Sequence, residues 1–145
     1  MNRGDWRVFP ASKSDYESML SYVLACAEEA EIPMKRQLKL QLGLEEAAVN
    51  VISYAYEPGE EGKIWLKVYV EGGNLILEMK DSGKPFNPLL KEDALENRPQ
   101  SVEDAEIGGL GIAFMRRVFA DINYHYGEED GLYCNHLILR FPMAL

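Results

Sequence analysis

Cysteine is scarce in this chain. The two residues, Cys26 and Cys134, lie far apart and show no C-x-x-C or Cys/His metal-ligand spacing. A zinc site of that kind is excluded, and both thiols are expected to be small buried hydrophobes. Histidine is as rare: His125 and His136 carry no ligand pattern and are expected to be ordinary sheet residues. Positive charge is in deficit, with 15 Lys and Arg against 24 Asp and Glu and a net charge of −9. Nucleic acid and anionic membrane repel an acidic protein, so neither is an expected partner, whereas a basic protein segment is allowed. No apolar run reaches the ~18 residues of a membrane helix. The opening MNRGDWRVFP turns polar and aromatic at once, unlike a signal peptide. A soluble, cytoplasmic protein is the expectation.

Several catalytic signatures are missing too. No GK[ST] follows the glycines near residue 110, so there is no Walker loop, and no G-x-G-x-x-G is present. Ser53, Ser82 and Ser101 lack a nucleophile-elbow context, which excludes a hydrolase triad.

What is present is a 145-residue chain, 47% hydrophobic, the size of one domain with a real core. WRVFPA reads as a short strand. In SKSDYESMLSYVLACAEEA, Ser14 precedes Glu17 at capping-box spacing, and Tyr16, Met19, Leu20, Val23 and Leu24 repeat at helical spacing. Residues 34–57 read as a longer helix despite Gly43, and PGEEG (58–62) as a turn. KIWLKVYV alternates, with Ile64, Leu66, Val68 and Val70 on one face and Trp65, Lys67 and Tyr69 on the other. Gly72-Gly73 turns the chain into a returning strand, NLILEMKD. After a long acidic and polar stretch, GGLGIAFMRRVFA reads as a third helix, with Arg116 and Arg117 on its surface or touching a partner or phosphate. INYHYGEEDGLYCNHLILRF reads as two strands around a turn at Glu128–Gly131. The order β-α-α-β-β-α-β-β predicts an α+β, two-layer sandwich, its sheet mixed or largely antiparallel and its helices on one face.

Three constellations could carry chemistry. Stepping about 100° per residue, Glu46 and Asn50 share one polar stripe of the second helix with Lys39, Gly43, Ser53 and Glu57. That stripe is either a solvated face or a carboxylate and a carboxamide presented to a ligand: Glu could accept a proton, and Asn could offer a hard oxygen to Mg²⁺. In DSGKPFNP (81–88), Asp81 ends a strand. This is an ordinary turn, or a buried acceptor for an exocyclic amine, with Gly83 clearing room for a flat ring and Pro85 and Phe86 lining its floor. In IGGLGIAFM, Gly108, Gly109 and Gly111 open a helix whose free N–H groups suit phosphate, or simply make a flexible junction.

In this order the stretches LEEAAVNVISYAYEPG, DSGKPFNP and IGGLGIAFMRRVFADINY resemble the GHKL (Bergerat-type) ATP-binding fold. They look most like its small stand-alone branch, the anti-sigma factor serine kinases of the RsbW and SpoIIAB type. The resemblance implies ATP and Mg²⁺ as cofactors, with Glu46 as catalytic base and Asn50 as the Mg²⁺ ligand. It implies that Asp81 binds the adenine amine beside Gly83 and Phe86, that Gly108, Gly109, Leu110, Gly111 and Ile112 hold the phosphates, and that residues 88–107 form a lid over a single domain, 1–145. Arg98 and Lys91 are candidates for phosphate contacts from that lid. The implied partners are a STAS-type anti-anti-sigma protein and a sigma factor, with a homodimer as the implied assembly. Tyr54 departs from the family, which often has His there. Two other readings remain open: a nucleotide-gated protein-binding module without turnover, and a structural α+β domain with no nucleotide.

Overall fold

A computed structural model describes residues 5–87 and 115–144. The elements are β1 (Arg7–Pro10), a 3₁₀ turn (Lys13–Asp15), α1 (Tyr16–Glu29), α2 (Met34–Asn50), a π-helical turn (Val51–Ala55), β2 (Lys63–Glu71), β3 (Asn74–Asp81), β4 (Asp121–Glu129) and β5 (Leu132–Pro142). Residues 115–118 are also helical. The strands form one sheet in the order β1-β2-β3-β5-β4. Every pair is antiparallel, so among the described residues the sheet is not mixed.

Local chemistry explains the turns. Gly72 and Gly73 both take positive φ, 55° and 79°, which the twist of a two-residue hairpin requires. Asp130 and Gly131 do the same at 52° and 87°, closing the second hairpin in two residues rather than the expected four. The Ser14–Glu17 capping box does not form. Ser14 lies inside the 3₁₀ turn, no side chain caps α1, and Ser12 Oγ donates instead to Asp15 Oδ2 at 2.6 Å. The second helix also differs from expectation: its α-helical part stops at Asn50 and widens into the π turn before Tyr56.

Alternation sorts side chains between the two sheet faces. Ile64, Leu66, Val68, Leu75, Leu77, Met79, Leu137, Leu139 and Phe141 pack beneath the helices against Met19, Val23, Leu40, Leu44, Ala47 and Ala48. Removing these side chains from water supplies the main stabilising term, about 1.5–3 kcal/mol for each large one fully buried. Gly43 has a packing reason. A Cβ there would lie 2.7 Å from both Phe119 Cε2 and Val118 Cγ1, so its absence lets the segment after residue 115 press onto α2. The cysteines differ from each other: Cys134 is buried as expected, but Cys26 is only half-buried. His125 and His136 do lie in the sheet, directly opposite each other. No helix among the described residues is long and apolar enough to cross a membrane.

Candidate functional site

The direction of Asp81 follows from strand period. Leu75, Leu77, Met79 and Asp81 occupy one row of β3, so the carboxylate ends the row that faces α2. Asp81 is only 3% exposed. Its Oδ1 accepts the Gly83 amide at 2.9 Å and Asn135 Nδ2 at 2.8 Å. Its Oδ2 accepts no hydrogen bond from the protein among the described residues. Burial pushes the Asp81 pKa up, and the hydrogen bonds from Asn135 and Gly83 pull part of the way back.

Asn135 is the residue that sequence reasoning missed. It stands opposite Asp81 on β5 and is 5% exposed. Its Nδ2 donates to Asp81 Oδ1 and to the Lys84 carbonyl, both at 2.8 Å. Its Oδ1 accepts the Phe86 amide at 2.9 Å and the Tyr124 hydroxyl. One buried carboxamide thus ties the acceptor, the loop after β3 and β4 together. The available signal was a lone amide inside the apolar run LYCNHLILRF.

The loop after β3 is also bonded to the end of α2. Lys84 N donates to the Ala55 carbonyl at 2.9 Å. A Cβ on Gly83 would sit 2.1 Å from that same oxygen. The clearance expected to admit a ligand ring is therefore occupied by backbone: Gly83 is needed to seat the loop on the π turn. Tyr56 reinforces this junction, its hydroxyl donating to the Lys63 carbonyl at 2.6 Å and accepting the Ser82 amide at 2.9 Å. Tyr54 stacks on Phe86 with centroids 5.3 Å apart and planes 22° apart.

From α2, Asn50 projects into the same pocket and is 5% exposed. Its Nδ2 points at Met115 Sδ at 3.9 Å, and its Oδ1 accepts no hydrogen bond among the described residues. Glu46, one turn earlier, is half-buried and also unpaired among the described residues. Burial raises its pKa, and the neighbouring Glu45 charge raises it further. The polar stripe of α2 is thus only partly solvated. Gly43 and Asn50 are buried, and Lys39, Ser53 and Glu57 are exposed.

The chemistry of these donors suits a nucleotide. A carboxylate oxygen of a buried Asp, without a donor among the described residues, matches an exocyclic amine, and Asn50 Oδ1 is a hard oxygen for Mg²⁺. Among the described residues no cluster of three His, Cys, Asp or Glu could hold a metal. Asn50 would thus leave most of a Mg²⁺ shell to phosphate and water, as that ion prefers. Space is tighter. The cavity bounded by Asn50, Asp81, Phe86, Met115, Tyr124 and Leu137 measures about 20 Å³. That holds about one water, too little for a purine without rearrangement of the lining. Gly108, Gly109, Leu110, Gly111 and Ile112, Arg98 and Lys91, and most of the 88–107 segment lie outside the described residues.

An antiparallel sheet roofed on one face by helices, with a buried acid pocket between β3 and α2, defines an ATPase-domain architecture of the histidine-kinase type. The family model described as histidine kinase-like ATPase domain matches residues 9–141, and the chain belongs to that family. Among solved structures, the catalytic domain of the histidine kinase ThkA in a nucleotide-free form has a similar fold. It has a TM-score of 0.52 at 17% identity over 96% of both chains. The chain is 29% identical over 98 residues to the serine-protein kinase RsbW of Listeria innocua, covering 61% of this chain and 58% of that protein. It is 30% identical over 100 residues to the serine/threonine-protein kinase BtrW of Bordetella bronchiseptica, covering 69% and 66%. It is 24% identical over 98 residues to the anti-sigma F factor of Bacillus subtilis, covering 68% and 66%. The chain therefore spans 58% to 66% of the length of these curated relatives.

Proposed function

We propose that this protein is an ATP- and Mg²⁺-dependent protein serine kinase. Its substrate is a STAS-type anti-anti-sigma protein, and it holds a sigma factor inactive while that substrate is phosphorylated. The carrying observation is the Asp81 carboxylate, buried in the same pocket as Asn50 and keeping one oxygen free of protein donors among the described residues. The names of the relatives, serine kinases and an anti-sigma factor, give the direction of the chemistry.

Each residue has a defined task in this reading. Asp81 accepts the adenine amine through Oδ2 while Asn135 and Gly83 hold Oδ1. Asn50 offers Oδ1 to the metal. Magnesium, when bound, supplies neutralisation of the phosphate charge. Glu46 accepts the proton of the attacking serine hydroxyl, and its raised pKa makes it a better base than an exposed carboxylate. A net charge of −9 suits a basic sigma-factor segment.

Labelled ATP, Mg²⁺ and purified STAS-domain proteins from the same genome test this reading. Wild type should label a serine. Glu46→Ala should bind Mg-ADP within about twofold of wild type by calorimetry, yet lose about 10²-fold or more of its transfer rate. A wild type that binds Mg-ADP but labels no STAS protein overturns the kinase reading in favour of a nucleotide-gated binding module. A wild type that gives no heat with Mg-ADP overturns both.

A further inference from the structure

Helix α2 has a second face that the nucleotide pocket does not use. Met34, Leu38 and Leu42 are 65%, 57% and 47% exposed. At about 100° per residue they fall within about 40° of Leu38, so they form one continuous apolar ridge. Scattered exposed leucines need no explanation, but three at successive turns of one helix mark an interaction face. Lys35 and Lys39 border the ridge on one side and are exposed. They make no ion pair among the described residues, although acidic side chains outnumber basic ones in this chain. Glu46 lies on that same side, one turn beyond Leu42. From Met34 to Glu46 the helix rises about 18 Å, the span of a short docking segment.

We propose that this ridge docks the phospho-accepting protein. The partner meets Met34, Leu38 and Leu42 with an amphipathic segment whose apolar side chains are bordered by carboxylates, which pair with Lys35 and Lys39. The proposal rests on the kinase reading above and names the surface that brings the hydroxyl to Glu46. Two features select this occupant. The exposed cations beside the ridge, unpaired among the described residues, call for an acidic partner. The ridge also runs toward the candidate base, which the hydroxyl of a docked substrate has to reach.

The test uses the STAS-domain protein that wild type labels, with steady-state kinetics on Leu38→Glu and Lys35→Glu. Both sites are exposed, and circular dichroism checks that each variant folds. The KM for the protein substrate should rise about tenfold or more, equivalent to about 1.4 kcal/mol. The kcat and the Mg-ADP affinity should stay near wild type. Raising the salt concentration should raise the wild-type KM and leave that of Lys35→Glu less affected. If wild type is active and neither variant changes KM, the docking proposal is overturned and the kinase reading stands. If the variants abolish self-association in sedimentation at unchanged KM, the ridge is a contact between copies and the proposal is likewise overturned. If wild type labels no STAS protein, the kinase reading fails and the docking proposal falls with it.

Discussion

Two polar clusters sit back to back on the same pair of strands. On the helix side, Asp81 of β3 faces Asn135 of β5; on the opposite side, Lys80 faces His136. The two pairs are adjacent positions along each strand, yet their hydrogen bonding differs. On the far side all four carboxylate oxygens of Glu78 and Glu129 are used. His136 Nε2 lies 2.7 Å from Glu78 Oε1 and its Nδ1 lies 3.1 Å from Glu129 Oε2. Lys80 Nζ reaches Glu129 Oε1 at 3.3 Å, and the Tyr69 hydroxyl donates to Glu78 Oε2. Lys67 and Lys80 lie 4.8 Å and 4.3 Å above the Trp6 ring. On the helix side, Asp81 Oδ2, Asn50 Oδ1 and Glu46 are left without protein donors among the described residues. A polar group held in a buried pocket without a protein partner costs stability. The saturated cluster ties β3 to β5 and β4; the open one is the candidate site.

The sharpest way to break this contrast is Asn135→Leu. It strips Asp81 of one donor and leaves the Lys84 carbonyl, the Phe86 amide and the Tyr124 hydroxyl without their partner. Each such group costs about 1–3 kcal/mol, so chemical denaturation should show a loss of about 3 kcal/mol or more. A loss below about 1 kcal/mol would show that water replaces the amide and that the hub is not structural.

Asp81→Asn is the next largest change, and it separates ligand binding from folding. It should weaken Mg-ADP by about 1.5–3 kcal/mol, the worth of a charge-assisted hydrogen bond. The pH dependence carries a sign. Because burial raises the Asp81 pKa, its contribution to folding is present below the ordinary carboxylate range and is lost as pH rises through the folded value. Binding an amine donor favours the ionised form instead. Wild-type affinity should therefore fall as pH drops through that raised value, while the variant stays flat. Parallel titration curves would remove Asp81 from the binding site.

Glu129→Gln, on the saturated face, should have the smallest effect. Burial pushes the Glu129 pKa up, but the charges and hydrogen bonds of His136 and Lys80 outweigh it and hold the pKa below the ordinary glutamate range. The stabilisation is present above that range and is lost as pH falls through the lowered folded value. With the group partly open to solvent, the variant should cost about 1 kcal/mol or less near neutrality, and the gap should close in acid. A loss as large as that of Asn135→Leu would mean the two faces are not distinct in kind.

Much of the fold could be read because its rules are local. Two-residue turns at Gly72-Gly73 and the alternation of KIWLKVYV and NLILEMKD fix both hairpin geometry and the face on which Asp81 lies. The Glu46–Asn50 pairing needed only helical period. What stayed hidden depends on distant partners. Asn135 acts on residues 49 and 54 positions away, and nothing in its own stretch announces them. The widening of α2 at Val51–Ala55 goes with a bond between Ala55 and Lys84, which only the folded chain brings together. Gly83 could be recognised as necessary, but its neighbour was misassigned, because a missing Cβ does not say what occupies the vacated space.

The seam between Gly83-Lys84 and Ala55 also bears on how the pocket can open. It ties the loop that follows β3, the strand bearing Asp81, to the turn that follows α2, the helix bearing Asn50 and Glu46. Phe86 and Met115 line the pocket from outside that junction. A side chain in place of the Gly83 hydrogen would push that loop off the turn, so Gly83→Ala should loosen the helix-to-strand junction as well as the pocket wall.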